Sequence, residues 1–269
     1  MRHAKAIGVD RLDAQLLLAH RLQRPRAWLL AHDDAVLDRS DQEVIANHLA
    51  RRAAGEPLAY LVGEREFHGI RLLVTPDVLV PRPDTEILVD WAIELLSGDE
   101  APRVLDMGTG SGAIALAIKN ACPRARVHAS DASPEALAVA RRNGLRLGLD
   151  VAWAEGDWWH AIDPALQFDL VVSNPPYIAP DDPHLADLRH EPRTALVAEG
   201  AGLAAIERIV AEAPQRLPPR AWLLVEHGAQ QGRDVCERLL RAGFAAVATR
   251  SDLAGKPRVS GGCMPPRAA

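Results

Sequence analysis

The sequence contains few cysteines, and they lie far apart. Only three occur in 269 residues, Cys122, Cys236 and Cys263, and none belongs to a CxxC pair. Such a set provides neither the disulfide framework of small secreted proteins nor the ligand spacing of a thiolate zinc site. We therefore expect no metal site, and we expect the protein to work in a reducing, cytoplasmic compartment.

Long apolar segments and an excess of positive charge are also missing. No stretch reaches about 18 uninterrupted apolar residues, and Asp10 and Asp13 interrupt the N-terminal sequence MRHAKAIGVDRLDAQLLLAH, so we expect neither a membrane span nor a signal peptide. The formal net charge is -5 and the pI is about 6.1, whereas proteins that rely on phosphate contacts are usually strongly basic. We expect no direct nucleic-acid partner, although charge alone does not exclude one.

What the sequence does contain is a change of pattern near residue 75. Before that point the apolar residues follow helical spacing, and Leu12, Leu16 and Ala19 are predicted to form one stripe. The sequence SDQE, which begins at Ser40, has the spacing of a capping box and predicts a helix start there. The stretch EFHGIRLLVTP alternates in polarity and predicts a short hairpin or extended connection.

Beyond Arg103, short apolar runs alternate with helical segments. The runs VLDMG, RVHASD, VAWAEGD and FDLVVSN are predicted strands, and Ser133 with Pro134 marks a helix start between two of them. Such alternation predicts a parallel sheet covered on both faces. The predicted fold is therefore α/β, with a Rossmann-like sheet of roughly six or seven strands in a domain over residues 76–269. A small helical domain with a hairpin linker is predicted over residues 1–75.

A glycine-rich loop, DMGTGSG, follows the first predicted strand of this sheet. Glycines let the backbone turn sharply and approach a ligand closely, and the N-terminus of the next helix presents free N–H groups. Asp131 ends the following strand, at the spacing where an acid binds ribose hydroxyls in nucleotide-binding folds. The predicted adenosine site consists of Gly108, Thr109, Gly110, Ser111, Gly112 and Asp131.

The glycine loop alone does not identify the ligand. It also fits the looser GxGxx[GA] fingerprint of dinucleotide-binding proteins, so a nicotinamide cofactor is an alternative. Asp157 and Trp158 follow the third predicted strand, where a carboxylate and an indole would bracket an adenine. The alternative interpretation is that Trp158 and Trp159 simply close the hydrophobic core.

The sequence Asn174-Pro175-Pro176-Tyr177 directly follows a buried-strand pattern. The asparagine side chain and the proline carbonyls offer hydrogen-bond acceptors with few competing donors, so the matching ligand is a planar NH2 group. Two acceptors favour the pyramidal, nucleophilic form of such an amine, and the ring of Tyr177 can lie against it. We therefore predict that Asn174, Pro175 and Tyr177 are catalytic, and that the electrophile is a methyl group on a sulfonium.

Several functions remain compatible with these residues. An adenine-amino methyltransferase would use the same acceptors on a flipped-out base, although such enzymes usually carry a basic groove or a target-recognition module. A nicotinamide-dependent oxidoreductase would explain the glycines but not the NPPY sequence. A non-catalytic binding module would not need the glycine loop, Asp131 and NPPY together.

Many separate stretches resemble one known family, the S-adenosylmethionine-dependent glutamine methyltransferases that modify peptide chain release factors (the HemK/PrmC family). They are LDAQLLLAH, GEPLAYLVGEREFHGI, VTPDVLVPRPDTEILVDWA, VLDMGTGSGAIALAI, DASPEALAVARRN, GDWW, FDLVVSNPPYI, HEPRTALVAEGAGL, VEHGAQQ and DLAGKPRV. The resemblance covers nearly the whole chain. It implies a class I methyltransferase sheet, S-adenosyl-L-methionine as methyl donor, and a release factor as partner.

The resemblance also implies roles for particular residues. The loop 108–112, Asp131, Trp158 and Asn174 correspond to the methyl-donor site, and residues 174–177 correspond to the site that holds the substrate glutamine. The implied reaction methylates the side-chain nitrogen of the glutamine in the Gly-Gly-Gln motif. The implied role of the helical N-terminal domain is contact with the release factor, and a ribosomal-protein glutamine is an alternative substrate.

Two further places in the sequence have two interpretations each. Arg82 is a candidate substrate-binding residue, whereas Asp84 or Thr85 is expected to cap the following helix. His227 ends a later predicted strand and suggests a general base, but a histidine at a strand end is usually satisfied locally. Because methylation of this kind needs no strong base, we expect the local role for His227.

Overall fold

The computed structural model describes residues 2–32, 34–98 and 100–266. Backbone contacts divide the chain into two compact units, Met1–Glu64 and Arg65–Ala269. The prediction that the two functional parts of the chain meet at residue 75 stays a prediction. No helix in the described ranges is both long enough and apolar enough to cross a membrane.

The first unit is helical, as its spacing predicts. The apolar stripe assigned to its second helix is wrong, because Leu12 and Leu16 are 44% and 36% exposed, while Ala14 and Leu17 are fully buried. This helix packs against the fourth and fifth helices through its Ala14 and Leu17 side. The helices are α1 Arg2–Ala6, α2 Arg11–Leu22, α3 Arg26–Ala31, α4 Arg39–Ala53 and α5 Leu58–Val62.

The start of α4 differs from the predicted capping box. The helix begins at Arg39, and the carboxylate of Asp38 accepts a hydrogen bond from the backbone N–H of Asp41 at 2.7 Å. The predicted cap at Ser40 is therefore wrong by two residues. An aspartate before the first turn satisfies a free N–H and also interacts favourably with the helix dipole, so it outcompetes the serine.

The predicted hairpin is confirmed. Strands β1 Glu64–Phe67 and β2 Ile70–Leu73 pair with each other. The two residues between them, His68 and Gly69, both have positive φ, 47° and 78°. Two successive residues of this kind form the tight turn whose twist matches that of the flanking strands.

Seven strands of the described residues form one sheet, in the order β5-β4-β3-β6-β7-β9-β8, so the predicted Rossmann-like sheet and strand count are confirmed. The five strands from β5 to β7 are parallel, but β9 is antiparallel to both its neighbours. A wholly parallel sheet was therefore wrong at this edge, because the short loop 252–256 allows only a hairpin between β8 and β9. The strands are β3 Arg103–Met107, β4 Arg126–Asp131, β5 Ala152–Glu155, β6 Leu170–Ser173, β7 Trp222–Glu226, β8 Ala245–Ser251 and β9 Pro257–Cys263.

Helices cover both faces of the sheet. On β3, Val104 packs into the cluster formed with the helices after β2 and after the glycine loop, whereas Leu105 and Met107 pack into the cluster on the opposite face. This alternation follows from the two-residue period of a strand. The helices of this unit are α6 Glu86–Leu95, α7 Ala113–Ala121, α8 Pro134–Leu147, α9 Glu199–Gly202, α10 Ala204–Arg216 and α11 Gly232–Arg241.

A buried asparagine on α8 ties the hairpin to the glycine loop. The amide oxygen of Asn143 accepts from Leu73 N at 2.7 Å, and its NH2 group donates to Leu73 O at 3.0 Å and to Ser111 O at 2.9 Å. The side chain thereby satisfies the edge of β2 and one carbonyl of the loop. Sequence inspection alone did not identify this residue, because its partners lie 70 and 32 positions away in the chain.

We predict that Asn143→Ala lowers the free energy of unfolding by about 2 kcal/mol, because backbone groups of Leu73 and Ser111 lose their partner in a buried place. The matched control is Asn120→Ala, at an exposed position of α7, which should stay within about 0.5 kcal/mol of the wild type. Urea unfolding followed by circular dichroism measures both. Equal midpoint shifts in the two variants would contradict the role of Asn143.

Candidate active site

The candidate site lies where the chain leaves the carboxyl ends of parallel strands. Met107 of β3 is in register with Ser173 of β6, so the glycine loop and the NPPY sequence begin side by side. The strand order reverses direction between β3 and β6, which is where ligands bind in open α/β sheets. A cavity of about 300 Å³ opens at this point. Its lining includes Arg82, Gly108, Thr109, Gly110, Ser111, Asp131, Asp157, Trp158, Asn174 and Pro176.

Three predicted site residues, Gly112, Pro175 and Tyr177, are not part of that lining. Gly112 has a φ of 83° and precedes the first residue of α7, where an added Cβ would lie 3.0 Å from Leu116 and 3.3 Å from Ala140. Glycine is required at this position because α7 packs closely against its neighbours there. Tyr177 does not border the cavity, so contact of its ring with a ligand stays a prediction.

Asp131 braces the glycine loop. One of its carboxylate oxygens accepts from Gly110 N at 2.8 Å, and the other accepts from Ser133 N at 2.9 Å. Burial raises the pKa of Asp131, and the backbone N–H groups oppose that shift. The carboxylate therefore holds the loop to the start of α8 while it also borders the cavity. Each oxygen keeps a lone pair with which a ligand hydroxyl can interact.

A second carboxyl lies beneath the loop and was not singled out from the sequence. Asp106 is fully buried, and its Oδ2 accepts from the hydroxyl of Thr109 at 2.6 Å and from Ala115 N at 3.1 Å. Burial raises the pKa of Asp106 to about 7. Its Oδ1 has no hydrogen-bond partner within the described part of the chain. The Thr109 side chain thus stabilises the loop through its hydrogen bond to Asp106.

The two adjacent tryptophans have different environments: Trp159 closes the hydrophobic core, whereas contact of Trp158 with an adenine stays a prediction. Trp158 borders the cavity, and a Cβ added to Gly108 would lie only 3.2 Å from its ring. Trp159 is 1% exposed and donates its indole N–H to Ile209 O at 2.9 Å. A short 3-10 turn that begins at Trp158, where φ is 47°, points the two side chains apart.

Asp157 is partly used by a surface ion pair. Its carboxylate accepts from Arg208 at 2.6 Å, and both side chains are about half exposed. An exposed pair of this kind contributes little to stability. The carboxylate nevertheless borders the cavity beside Trp158.

The asparagine of NPPY is held by a residue that was expected to cap a helix. Asn174 donates through its NH2 group to Thr85 Oγ1 at 3.2 Å. Thr85 is buried and makes no side-chain capping bond to α6, and Asp84 pairs with Arg258 at 2.9 Å, so the predicted capping role is wrong for both. Since the nitrogen end of the Asn174 amide is bound by Thr85, the oxygen end is left for the cavity.

Two other side chains fix the end of the NPPY sequence. The hydroxyl of Tyr177 donates to Oε1 of Glu226 at 3.2 Å, and its backbone carbonyl accepts from the Gln231 side chain at 3.0 Å. Burial raises the pKa of Tyr177 above its ordinary value, and the neighbouring Glu226 carboxyl adds to the shift. A Cβ on Gly202 would lie 2.1 Å from Tyr177 O, so only glycine fits there.

His227 has the predicted local role. The two ring nitrogens of His227 lie 2.9 Å from Gly228 O and 2.8 Å from Ser260 Oγ, and burial lowers its pKa. Glu226, by contrast, faces the NPPY side of the sheet and is 1% exposed. The sequence signal that would have identified Glu226 is a carboxylate at the end of the apolar run WLLV.

Arg82 connects two loops at the cavity. Its guanidinium donates to Oε1 of the buried Glu191, whose Oε2 accepts from Val80 N at 3.0 Å. One carboxylate therefore joins the loop before α6 to the loop that contains Pro192. Glu191 had no predicted role, because its partners are 109 and 111 positions away.

Two family models match the chain. Residues 2–63 match the PrmC N-terminal domain, and residues 85–250 match the methyltransferase small domain. The chain is 52% identical over 259 residues to the release factor glutamine methyltransferase of Bordetella pertussis, with 96% of each chain covered. It is 50% identical to the protein of the same name from Burkholderia pseudomallei, with 97% of this chain and 94% of that one covered.

Solved structures share the fold at low sequence identity. The hMettl16 catalytic domain, solved with an RNA hairpin, has a TM-score of 0.58 at 19% identity and covers 80% of this chain and 81% of its own. The T. thermophilus 16S rRNA methyltransferase RsmC, solved with AdoMet and guanosine, has a TM-score of 0.56 at 18% identity, covering 75% and 49%. The expected class I methyltransferase sheet is thereby confirmed. Identities this low carry no information about substrate.

The two tryptophans give a direct test of the site geometry. We predict that Trp159→Ala lowers the free energy of unfolding by about 3–5 kcal/mol, because it leaves a cavity in the buried cluster around that side chain. Trp158→Ala should lower it by about 1 kcal/mol, since that ring is only partly buried. Urea unfolding of the matched pair measures the difference. A larger loss for Trp158→Ala than for Trp159→Ala would contradict the assignment.

Proposed function

This chain belongs to the family of release factor glutamine methyltransferases, and from that premise we propose that it methylates the side-chain amide nitrogen of the glutamine in the Gly-Gly-Gln motif of peptide chain release factors. It is an S-adenosylmethionine-dependent methyltransferase. The observation that carries the proposal is the Asn174 amide, whose nitrogen is held by Thr85 so that its oxygen is free to accept from a planar NH2 group.

The residues around the glycine loop fit the methyl donor. The absence of a side chain at Gly108 leaves a space against the ring of Trp158 that a Cβ would fill. Asp131 suits ribose hydroxyls, and the N-terminus of α7 presents N–H groups toward the cavity. We assign the donor site to the loop 108–112 with Asp131, Asp157, Trp158 and Asn174. S-adenosyl-L-methionine supplies an electrophilic methyl group on a sulfonium.

The NPPY residues suit the nucleophile. The carbonyl oxygens of Asn174 and Pro175 would accept the two hydrogens of the substrate amide, which reduces the delocalisation of its lone pair. Pro175 and Pro176 lack N–H groups and fix the backbone, so the acceptors stay in place. Tyr177 supports this turn through its bond to Glu226 and through its carbonyl. The proton leaves after the methyl group has been transferred, so no strong base is required.

The charge of the cavity supports a protein glutamine over a nucleic-acid base. Among the described residues that line it, Arg82 is the only basic one, and its guanidinium is bound by Glu191. Asp77, Asp131 and Asp157 also line the cavity. An adenine-amino methyltransferase would need free positive charge beside the base to hold the phosphates of the strand. The curated relatives are named for release factor glutamine, which also favours this substrate over a ribosomal protein.

The roles of the two parts of the chain follow from this function. We assign contact with the release factor to the helical domain with its hairpin, residues 1–75, and methyl transfer to residues 76–269. Arg82, at the border of the cavity, would contact the substrate segment next to the glutamine. Because release factors act in translation, we assign the protein to the cytoplasm.

The reaction is tested with radiolabelled S-adenosylmethionine and a purified release factor, beside a copy whose Gly-Gly-Gln glutamine is replaced. We expect label only in the unmodified release factor, because the acceptors of NPPY require an NH2 group. A ribosomal protein and a DNA duplex serve as further substrates. Equal labelling of the two release factors, or labelling of only the ribosomal protein or the DNA, would refute the proposal.

A variant tests the role of the asparagine. We predict that Asn174→Ala reduces kcat by on the order of a hundredfold or more, since an acceptor needed in the transition state is lost. The affinity for S-adenosylmethionine, measured by calorimetry, should change by less than about threefold. Asn120→Ala, on the exposed face of α7, is the control and should behave as wild type. An unchanged kcat for Asn174→Ala would refute this role.

A further inference from the structure

Asn174 and Glu226 leave neighbouring parallel strands side by side. Ser173 of β6 is in register with Val225 of β7, and the next residue on each strand is Asn174 or Glu226. Glu226 is fully buried, yet the nearby cation Arg258 already binds two other carboxylates, those of Asp84 and Asp252, at 2.9 Å each. A buried carboxyl in this position is therefore only partly compensated by positive charge.

A chain of polar groups connects Glu226 to Asn174. The NH2 group of Asn174 can only donate, so the Thr85 hydroxyl, 3.2 Å away, accepts there and must direct its own hydrogen elsewhere. The Thr85 hydroxyl lies beside the Glu226 carboxyl and stabilises its charged form. Tyr177 donates to the same carboxyl at 3.2 Å. The hydroxyls of Tyr177 and Thr85 thus both lie next to the Glu226 carboxyl.

We propose that Glu226 is a positioning residue that determines which end of the Asn174 amide faces the substrate. This proposal rests on the proposed function. The two ends of a carboxamide are nearly equal in size, so packing alone does not select between them. As an anion Glu226 accepts the Thr85 hydrogen, which leaves the Thr85 oxygen to accept from the Asn174 nitrogen. Without that acceptor, Thr85 is free to donate to the Asn174 oxygen and withdraw it from the substrate amide.

The energetics of Glu226 agree with a functional role. Burial raises its pKa to about 7, against the effects of Thr85, Tyr177 and Arg258. Because the folded-state pKa lies above the ordinary value of 4.5, the protonated carboxyl favours folding, and this contribution is lost as the pH rises through about 7. In addition, Oε2 of Glu226 has no hydrogen-bond partner within the described residues. A carboxylate that costs stability at neutral pH is typical of an active site.

The first experiment compares Glu226→Gln with the matched surface variant Glu237→Gln, whose side chain pairs with Arg233 and Arg241 on α11. We expect Glu226→Gln to reduce kcat about 10- to 100-fold, because the glutamine NH2 can donate to Thr85 and reverse the chain of hydrogen bonds. Affinity for S-adenosylmethionine should stay within about threefold of wild type. The melting temperature at pH 8 should be equal or higher. Wild-type kcat in Glu226→Gln would overturn the proposal.

Variants of the intervening hydroxyl separate positioning from loss of fold. Thr85→Val keeps the shape but removes the hydrogen bonds, and should reduce kcat by a factor similar to Glu226→Gln, whereas Thr85→Ser should retain most activity. The kcat of the double variant, which combines Glu226→Gln with Thr85→Val, should lie within about twofold of the kcat of the less active single variant. Both changes break the same chain of hydrogen bonds. Multiplicative losses would show that Glu226 does not act through Thr85.

The pH profile gives a further readout. Wild-type kcat should fall as the pH drops through about 7, where Glu226 becomes protonated. Tyr177, Arg258 and Asp84 also face this carboxyl, and the buried Asp106 titrates in the same range, so the decisive quantity is the difference between variants. The decrease of kcat that Glu226 causes at acidic pH should be absent in Glu226→Gln and present in Glu237→Gln. Identical profiles would overturn the proposal.

A substrate-independent measurement keeps this proposal distinct from the proposed function. With ¹⁵N-labelled asparagine, the side-chain NH2 signal of Asn174, assigned by its loss in Asn174→Asp, should shift with pH near 7 in wild type. It should be displaced and pH-independent in Glu226→Gln. A signal unaffected by Glu226→Gln and Thr85→Val would refute the positioning role. Failure of wild type to methylate a release factor, with these NMR changes present, would refute only the proposed substrate.

Discussion

The site depends on the pairing of two parallel strands, β3 and β6, which are far apart in the chain. Met107 and Ser173 are in register, and the hydroxyl of Ser173 donates to Met107 O at 2.7 Å, so the two strands end at the same level. The glycine loop continues from one end and NPPY from the other. A donor and an acceptor for methyl transfer must lie within a few ångströms of each other, and under the proposed function this pairing places the two segments that would bind them side by side.

Buried carboxyls at this edge of the sheet lower the stability of the fold. Asp106, Asp131 and Glu226 all have a raised pKa, chiefly because burial disfavours their charged forms. Each binds groups that shape the cavity wall: the start of α7, the glycine loop, and the NPPY turn. Their stability cost is offset by the apolar clusters on both faces of the sheet, where the strands between them are fully buried. Polar groups that are unfavourable for folding are thus concentrated around the candidate site.

The parts of the site that the sequence predicts are contiguous, and the parts that it misses are not. The glycine loop, Asp131 and NPPY each carry their signal within a few residues, because backbone freedom and hydrogen-bond capacity are local properties. Thr85 and Glu191 acquire their roles from partners 89 and 109 positions away, which no local pattern encodes. The same limit explains the fold: periodicity predicts the strands, but the antiparallel edge depends on how β9 returns to β7.

Selection among planar amines must come from the wall beyond Asn174, since an adenine amine and a glutamine amide offer similar hydrogens to the same acceptors. That wall is built where Glu191 binds both Val80 N and the Arg82 guanidinium, which fixes two loops as one surface. The bond has an electrostatic consequence as well as a geometric one. It neutralises the basic side chain at the cavity, so a nucleic-acid strand would find no free charge there to hold its phosphate. A glutamine on a protein loop carries no such requirement, so under the proposed function the neutralised wall would favour a protein substrate over a nucleic acid.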